Sequence, residues 1–170
     1  WVDAKRKYVF CYVLSYVFKA SPWIMGYARR VADMLGCEVV FYGGGESDCI
    51  EDARKAGFEV LEQYIAPQRL VRYYLDAEYV IATGFHGTAL AITLGKALSI
   101  VVNPNPTLDD RVVSLANRMG LKSRCVVCGA DYEKLDLSWL RERCDIDVDC
   151  KLAAARADSL AFLRRALAEA

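Results

Sequence analysis

The stretch Tyr79-Val80-Ile81-Ala82-Thr83-Gly84-Phe85-His86-Gly87-Thr88 decides how this chain folds. Its first four residues are apolar and mostly β-branched or aromatic, which is typical of a buried strand. The glycine at 84 predicts a sharp turn, and the apolar residues after Thr88 predict a buried helix that follows at once. Such a helix leaves its first backbone N–H groups without partners, at the positive end of the helix dipole. The stretch therefore predicts a site for a phosphate or a carboxylate at the end of a strand.

His86 is the only histidine in the 170 residues. An imidazole in the first turn of a helix can donate or move a proton near neutral pH, so we predict that His86 is catalytic. A bound phosphate dianion would favour the charged ring and so recruit a proton to it. The neighbours that we expect to bind the substrate are Thr83, Gly84, Phe85, Gly87 and Thr88.

Two of these neighbours have alternative explanations. Gly87 allows close approach of a ligand or a tight start of the helix, or it simply lets the helix pack against a strand. Thr88 either caps the helix or donates a hydrogen bond to the bound anion.

Outward from this stretch, apolar runs alternate with segments of helical period along nearly the whole chain. The pattern predicts strands over 8–16, 38–42, 58–61, 79–82, 98–102 and 125–128. It predicts helices over 22–35, 47–56, 67–75, 85–94, 108–119 and 135–143, and a C-terminal helix within 147–170. Strands that are apolar on both faces and separated by helices indicate a mostly parallel sheet covered on both sides. We therefore predict one doubly wound, Rossmann-like α/β domain over residues 1–170.

In such a sheet the ligand lies beyond the carboxyl ends of the strands, where the turn at 83–87 is expected. The sequence Asn103-Pro104-Asn105-Pro106 predicts a rigid loop that opens on the same edge. Arg111 follows this loop, and Arg124 precedes the last predicted strand. We expect both arginines to point into the crevice and to grip a carboxylate or phosphate, with a solvated side chain as the alternative.

Composition excludes some classes of partner. Lysine plus arginine and aspartate plus glutamate both number 22, so the formal net charge is zero, and no strong field would draw the chain to nucleic acid. No apolar run approaches the ~20 residues of a membrane helix. The chain begins at Trp1 rather than at methionine, and we expect it to be cut from a longer cytoplasmic protein.

Seven cysteines suggest reduced thiols rather than a disulfide framework, because their number is odd and most lie in apolar runs. A four-thiolate zinc site drawn from Cys125, Cys128, Cys144 and Cys150 is the less favoured interpretation, and we expect no metal. Residues three apart on a strand point to opposite faces, which separates the first two thiols. The glycines at 43–45 resemble a phosphate loop but fail the dinucleotide pattern, since Asp48 stands at the third glycine position.

Taken together, the motifs resemble those of the polysaccharide pyruvyl transferase family, in its C-terminal half. The Phe-His-Gly-Thr core at 85–88 is the strongest element. The matching segments cover most of the chain in the same order: 7–14, 77–88, 95–97, Arg111, 120–124 and 156–163.

This resemblance implies one lobe of a GT-B-like architecture, in which two Rossmann-like lobes face each other across a cleft. It also implies transfer of an enolpyruvyl unit from phosphoenolpyruvate to two hydroxyls of a sugar, with no cofactor, in the synthesis of a cell-surface polysaccharide. His86 would be the acid or a phosphate ligand, and Arg111 and Arg124 would hold the anions. The chain would then be the donor-binding lobe, inactive without the N-terminal lobe that completes the acceptor site.

The chain departs from the family before the core, where an acidic residue and a serine are usual and Thr83 and Gly84 stand here. The departure could change the donor or mark an inactive member. Two other functions therefore stay open: a glycosyltransferase lobe that binds a nucleotide-sugar, and a non-catalytic module that binds anions.

Overall fold

A computed structural model of the chain describes residues 6–14, 21–44, 47–61, 64–142 and 146–168. The strands are β1 (Tyr8–Leu14), β2 (Glu38–Gly44), β3 (Glu59–Val60), β4 (Tyr79–Thr83), β5 (Leu98–Val102) and β6 (Cys125–Val127). The α-helices are α1 (Trp23–Leu35), α2 (Ser47–Lys55), α3 (Pro67–Asp76), α4 (Gly84–Thr93), α5 (Asp110–Met119) and α6 (Ile146–Ala168).

The six strands form one sheet in the order β3-β2-β1-β4-β5-β6, and every pair of neighbours is parallel. All five residues of β4 and all five of β5 are buried, because helices cover both faces of the sheet. The strand order reverses between β1 and β4, as in a doubly wound domain. The predicted Rossmann-like α/β fold is confirmed.

Each face of the sheet has its own core. Helices α1 and α2 pack on one face, where Val9, Ile81 and Val101 point. Helices α3, α4 and α5 and the start of α6 pack on the other face, against Phe10, Val80 and Ile100. Because successive side chains of a strand point to opposite faces, each strand contributes residues to both apolar cores.

One predicted helix is wrong. Residues 135–142 contain a short 3₁₀ turn (Ser138–Arg141), and a second such turn (Tyr132–Lys134) precedes it. Aspartate side chains close both turns locally: Asp131 accepts from the N–H of Glu133, and Asp136 accepts from the N–H of Ser138. Local bonds of this kind compete with a continuous helix.

Several predicted boundaries shift by a few residues. A 3₁₀ turn (Pro106–Leu108) occupies the predicted start of α5. The predicted ends of the first strand at 15–16 and of the wrong helix at 143 lie outside the described residues, as does Cys144.

Helix α6 leaves the domain surface after its first turns. Val148 is buried against the α5 side of the sheet, but every residue from 156 to 168 is exposed. Leu160, Phe162 and Leu163 are among these exposed side chains. Within the described ranges, the helices are all too short or too polar to cross a lipid bilayer.

Candidate functional site

The turn between β4 and α4 depends on Gly84. Its φ is +72°, in the left-handed region that costs L side chains about 1–2 kcal/mol. This conformation lets the chain pass directly from the last residue of the strand, Thr83, into a helix. The prediction that this turn lies at the carboxyl edge of the sheet is confirmed by the register of β4 between β1 and β5.

A pocket of about 180 Å³ opens at this turn. The first turns of two helices, α4 and α5, form its walls, together with the loop that follows β5. The lining residues are Gly84, Phe85, His86, Thr107, Leu108, Asp109, Asp110, Arg111 and Val112. Four of the predicted site residues thus meet here: Gly84, Phe85, His86 and Arg111.

The Phe85 ring lies beside both polar side chains of the pocket, His86 and Arg111. The rings of Phe85 and His86 meet edge to face with centroids 5.9 Å apart. The guanidinium of Arg111 lies over the Phe85 ring, 5.9 Å from its centroid. His86 and Arg111 are exposed, so both polar groups can reach a ligand in the pocket.

The N-terminus of α4 has no side-chain cap. Thr83 stands at the N-cap position, but its buried hydroxyl accepts a hydrogen bond from the backbone N–H of Leu14 at 2.8 Å. The first N–H groups of α4 are therefore not satisfied by a capping side chain, and they lie at the pocket. This is the arrangement in which a helix binds an anion.

Thr88 neither caps the helix nor faces the pocket. Its hydroxyl is buried and donates to the backbone carbonyl of Gly84 at 2.9 Å, one turn back. Both alternatives given for Thr88 from the sequence are wrong, because the hydroxyl is used inside the helix.

Gly87 packs the helix against the sheet. A Cβ at this position would lie 2.4 Å from Cδ1 of Tyr12 and 3.2 Å from the hydroxyl of Tyr74. The same hydroxyl donates to the carbonyl of Gly87 at 3.4 Å. Of the explanations given for Gly87, close packing of helix against strand is the one that the contacts support.

Arg124 does not reach the pocket. Its guanidinium is buried, donates to the carbonyls of Trp139 and Glu142, and stacks on the Trp139 ring at 4.8 Å. Residues that precede a parallel strand lie at the amino edge of the sheet, opposite the carboxyl edge where the pocket is. The expectation that Arg124 grips the ligand is therefore wrong, and its role is to hold the 3₁₀ segment.

The pocket is also lined by two carboxylates, Asp109 and Asp110, which the sequence analysis did not single out. Asp109 is buried, and its Oδ2 accepts from the backbone N–H of Asn103 at 2.5 Å. Asp110 is exposed in the first turn of α5. The signal available in the sequence was an aspartate just before an apolar helical segment, and this pattern is also that of an ordinary helix start.

The cysteines do not assemble into a metal site where they are described. Cys128 packs on the α1 face of the sheet and Cys125 on the opposite face. Burial raises the pKa of both thiols, which disfavours the thiolate that zinc requires. Across the described ranges, no three histidine, cysteine, aspartate or glutamate side chains cluster as metal ligands would.

Comparisons with solved structures find distant likenesses, among them two heptosyltransferases of E. coli. No family model and no curated protein matches the chain. The E. coli heptosyltransferase WaaC with ADP is similar over 70% of this chain and 46% of its own, at 15% identity and a TM-score of 0.45. The E. coli ADP-heptose LPS heptosyltransferase II is similar over 74% of this chain and 38% of its own, at 14% identity and a TM-score of 0.49.

The chain thus spans less than half the length of either heptosyltransferase. A likeness this distant assigns neither a family nor an activity.

Proposed function

We propose that this chain is the donor-binding lobe of a transferase that modifies sugars, and that its pocket holds the phosphate-bearing end of the donor. One observation carries the proposal: the uncapped N-terminus of α4 shares a pocket with two exposed groups, the imidazole of His86 and the guanidinium of Arg111. Backbone N–H groups and Arg111 would hold the anion, and His86 would move a proton at the reacting centre.

The first candidate reaction is pyruvyl transfer from phosphoenolpyruvate, as the resemblance at 85–88 implies. His86 would protonate the methylene carbon, and the neighbouring carbon would become an oxocarbenium ion. One sugar hydroxyl would add to that carbon and lose its proton, and a second hydroxyl would displace phosphate to close the ketal. Preorganised donors around the leaving phosphate would supply much of the stabilisation.

The second candidate is transfer of a sugar from a nucleotide-sugar, and the charges in the pocket favour it. Phosphoenolpyruvate carries a carboxylate and a phosphate but no hydroxyl. The pocket offers it one arginine and opposes it with the buried carboxylate of Asp109. A nucleotide-sugar brings hydroxyl donors that this carboxylate can accept, so the pocket suits it better.

Titration calorimetry tests the shared proposal. We expect the chain to bind phosphoenolpyruvate or a nucleoside diphosphate, and Arg111→Ala and His86→Ala to weaken the tighter of the two by about tenfold. Arg118→Ala is the matched control, because Arg118 is exposed at the other end of α5 and does not line the pocket. Equal heats in all four proteins would contradict the site.

Competition separates the two candidates. If a nucleoside diphosphate displaces phosphoenolpyruvate at the lower concentration, the donor is a nucleotide-sugar. If phosphoenolpyruvate displaces the nucleotide, the reaction is pyruvyl transfer.

The domain organisation belongs to the same proposal. Residues 1–170 would form the C-terminal lobe of a longer cytoplasmic protein, and an N-terminal lobe would bind the saccharide acceptor. We expect the chain alone to bind the donor without turnover. Turnover by the isolated chain, measured as phosphate or nucleotide released with a sugar present, would contradict this organisation.

A further inference from the structure

Asp109 combines burial, charge and a place in the pocket wall. Only 3% of the surface of Asp109 is exposed to solvent, and the residue lies at the N-cap position of α5. Its side chain does not cap the helix. Instead its Oδ2 accepts from the backbone N–H of Asn103, at the end of the neighbouring strand.

One oxygen of the Asp109 carboxylate has no hydrogen-bond partner among the described residues. Within the described ranges no lysine or arginine forms an ion pair with it. The structure also shows no hydrogen bond from those residues to its other oxygen, Oδ1. The dipole of α5 offsets part of the cost of burial. Buried carboxylates are normally paired or fully hydrogen-bonded, so this one has capacity left for a donor.

A chain of local hydrogen bonds fixes the loop that carries Asp109. The side-chain oxygen of Asn103 accepts from the N–H of Asn105 at 2.8 Å. The side-chain oxygen of Asn105 accepts in turn from the hydroxyl of Thr107, also at 2.8 Å. The carbonyl of Asp109 then accepts from the N–H of Val112 at 2.9 Å. The carboxylate is therefore held before any ligand arrives, which lowers the entropy cost of using it.

We propose that Asp109 determines the specificity of the pocket by accepting a hydrogen bond from a hydroxyl group of the ligand. The inference rests on the proposed function, in which α4 and Arg111 hold the phosphate. It narrows the ligand to a phosphate ester that carries hydroxyl groups, such as a sugar phosphate or a nucleotide.

The chemistry of the site explains this choice. The bond to Asn103 uses one carboxylate oxygen, so holding the loop leaves Oδ1 available. A hydroxyl group can donate to Oδ1 and satisfy it without adding charge. A ligand with a second anionic group at that place would instead be repelled, and repulsion in a partly enclosed pocket is weakly screened.

The decisive measurement is a ratio of two affinities in the same protein. Calorimetry with glucose 1-phosphate and with phosphoenolpyruvate gives the two dissociation constants for the wild type, Asp109→Asn and Asp110→Asn. The amide at 109 can still accept from Asn103 through its oxygen, but its other atom is then a donor. We expect Asp109→Asn to shift the ratio toward phosphoenolpyruvate by about tenfold or more.

Asp110→Asn is the matched control for charge alone. It removes the same charge from an exposed position in the same pocket, so we expect both ligands to gain similarly and their ratio to stay within about twofold. An equal shift of the ratio in both variants would overturn the role of Asp109. An unchanged ratio in Asp109→Asn would overturn it as well, provided that thermal unfolding shows the variant to be folded.

These results are distinguishable from failure of the proposed function. In one outcome, both ligands bind and depend on Arg111 while the ratio of their dissociation constants is the same in Asp109→Asn as in the wild type. In that case the anion site is supported and the role of Asp109 is overturned. If the wild type binds neither ligand, both are overturned.

Discussion

The contact between Gly87 and Tyr12 predicts that Gly87→Ala destabilises the protein when the Tyr12 ring is present and not when the ring is removed. The backbone of Gly87 is helical, so alanine would fit it and would gain about 1 kcal/mol of helix propensity. Its Cβ, however, would lie 2.4 Å from Cδ1 and 2.9 Å from Cε1 of Tyr12. Carbon atoms prefer about 3.5–4.0 Å, so the ring or the helix must move by about 1 Å.

Overpacking of this kind costs about 1–3 kcal/mol, which exceeds the propensity gain. We expect Gly87→Ala to lower the free energy of unfolding by about 1–2 kcal/mol, which in a domain of this size lowers Tm by about 4 °C. The Tyr12→Ala background removes the ring. There, Gly87→Ala should be neutral or stabilising by up to about 1 kcal/mol.

Thermal and urea unfolding of the four proteins complete a double-mutant cycle. An equal loss from Gly87→Ala in both backgrounds would refute the packing argument. It would mean that the glycine is needed for a reason other than the space beside Tyr12.

Three further outcomes are expected. Gly84→Ala should cost about 1–2 kcal/mol, because its φ is +72°, and should weaken phosphate binding; unchanged Tm would contradict the strained turn. Arg124→Met should cost about 1.5–3 kcal/mol by removing the charged hydrogen bonds to the carbonyls of Trp139 and Glu142, yet should leave the heat of ligand binding unchanged; the opposite pattern would return Arg124 to the site. Burial raises the pKa of Tyr27 to about 12, so stability present below pH 10 should fall as pH rises toward 12. Tyr27→Phe should flatten that fall, at some cost in stability below pH 10 from the lost bond to Ser99, and an equally steep fall measured by urea unfolding would refute it.

Much of the fold could be predicted because local pattern and tertiary structure agree. The predicted strand over 98–102 matches β5 residue for residue, and helices α1 and α5 end at the predicted glycines, Gly36 and Gly120. Segment 135–143 failed because its backbone groups have partners far away in sequence. The carbonyls of Trp139 and Glu142 accept from Arg124, and the Trp139 carbonyl also accepts from the N–H of Glu142, which closes a 3₁₀ turn instead of continuing an α-helix.

The site was only partly predictable, for a similar reason. His86, Gly84 and Phe85 lie in one turn, and a strand followed at once by a helix fixes their place from sequence alone. Arg111 could be placed at the same edge because it follows the loop at 103–106. Asp109 was missed, because its burial and its bond to the N–H of Asn103 leave no periodic pattern in the sequence. The Arg124 prediction failed because a residue before a parallel strand lies at the wrong edge.

The hydroxyl of Thr83 has a mechanical consequence for the rim of the sheet. Main-chain pairing between β1 and β4 runs to Tyr12 and Ala82, and beyond it the N–H of Leu14 is held by that one side chain. A single side-chain hydrogen bond breaks at lower cost than several backbone hydrogen bonds. If the ends of β1 and β4 separated to admit a bulky molecule, they would separate first between Leu14 and Thr83, while the rest of the two strands stayed paired.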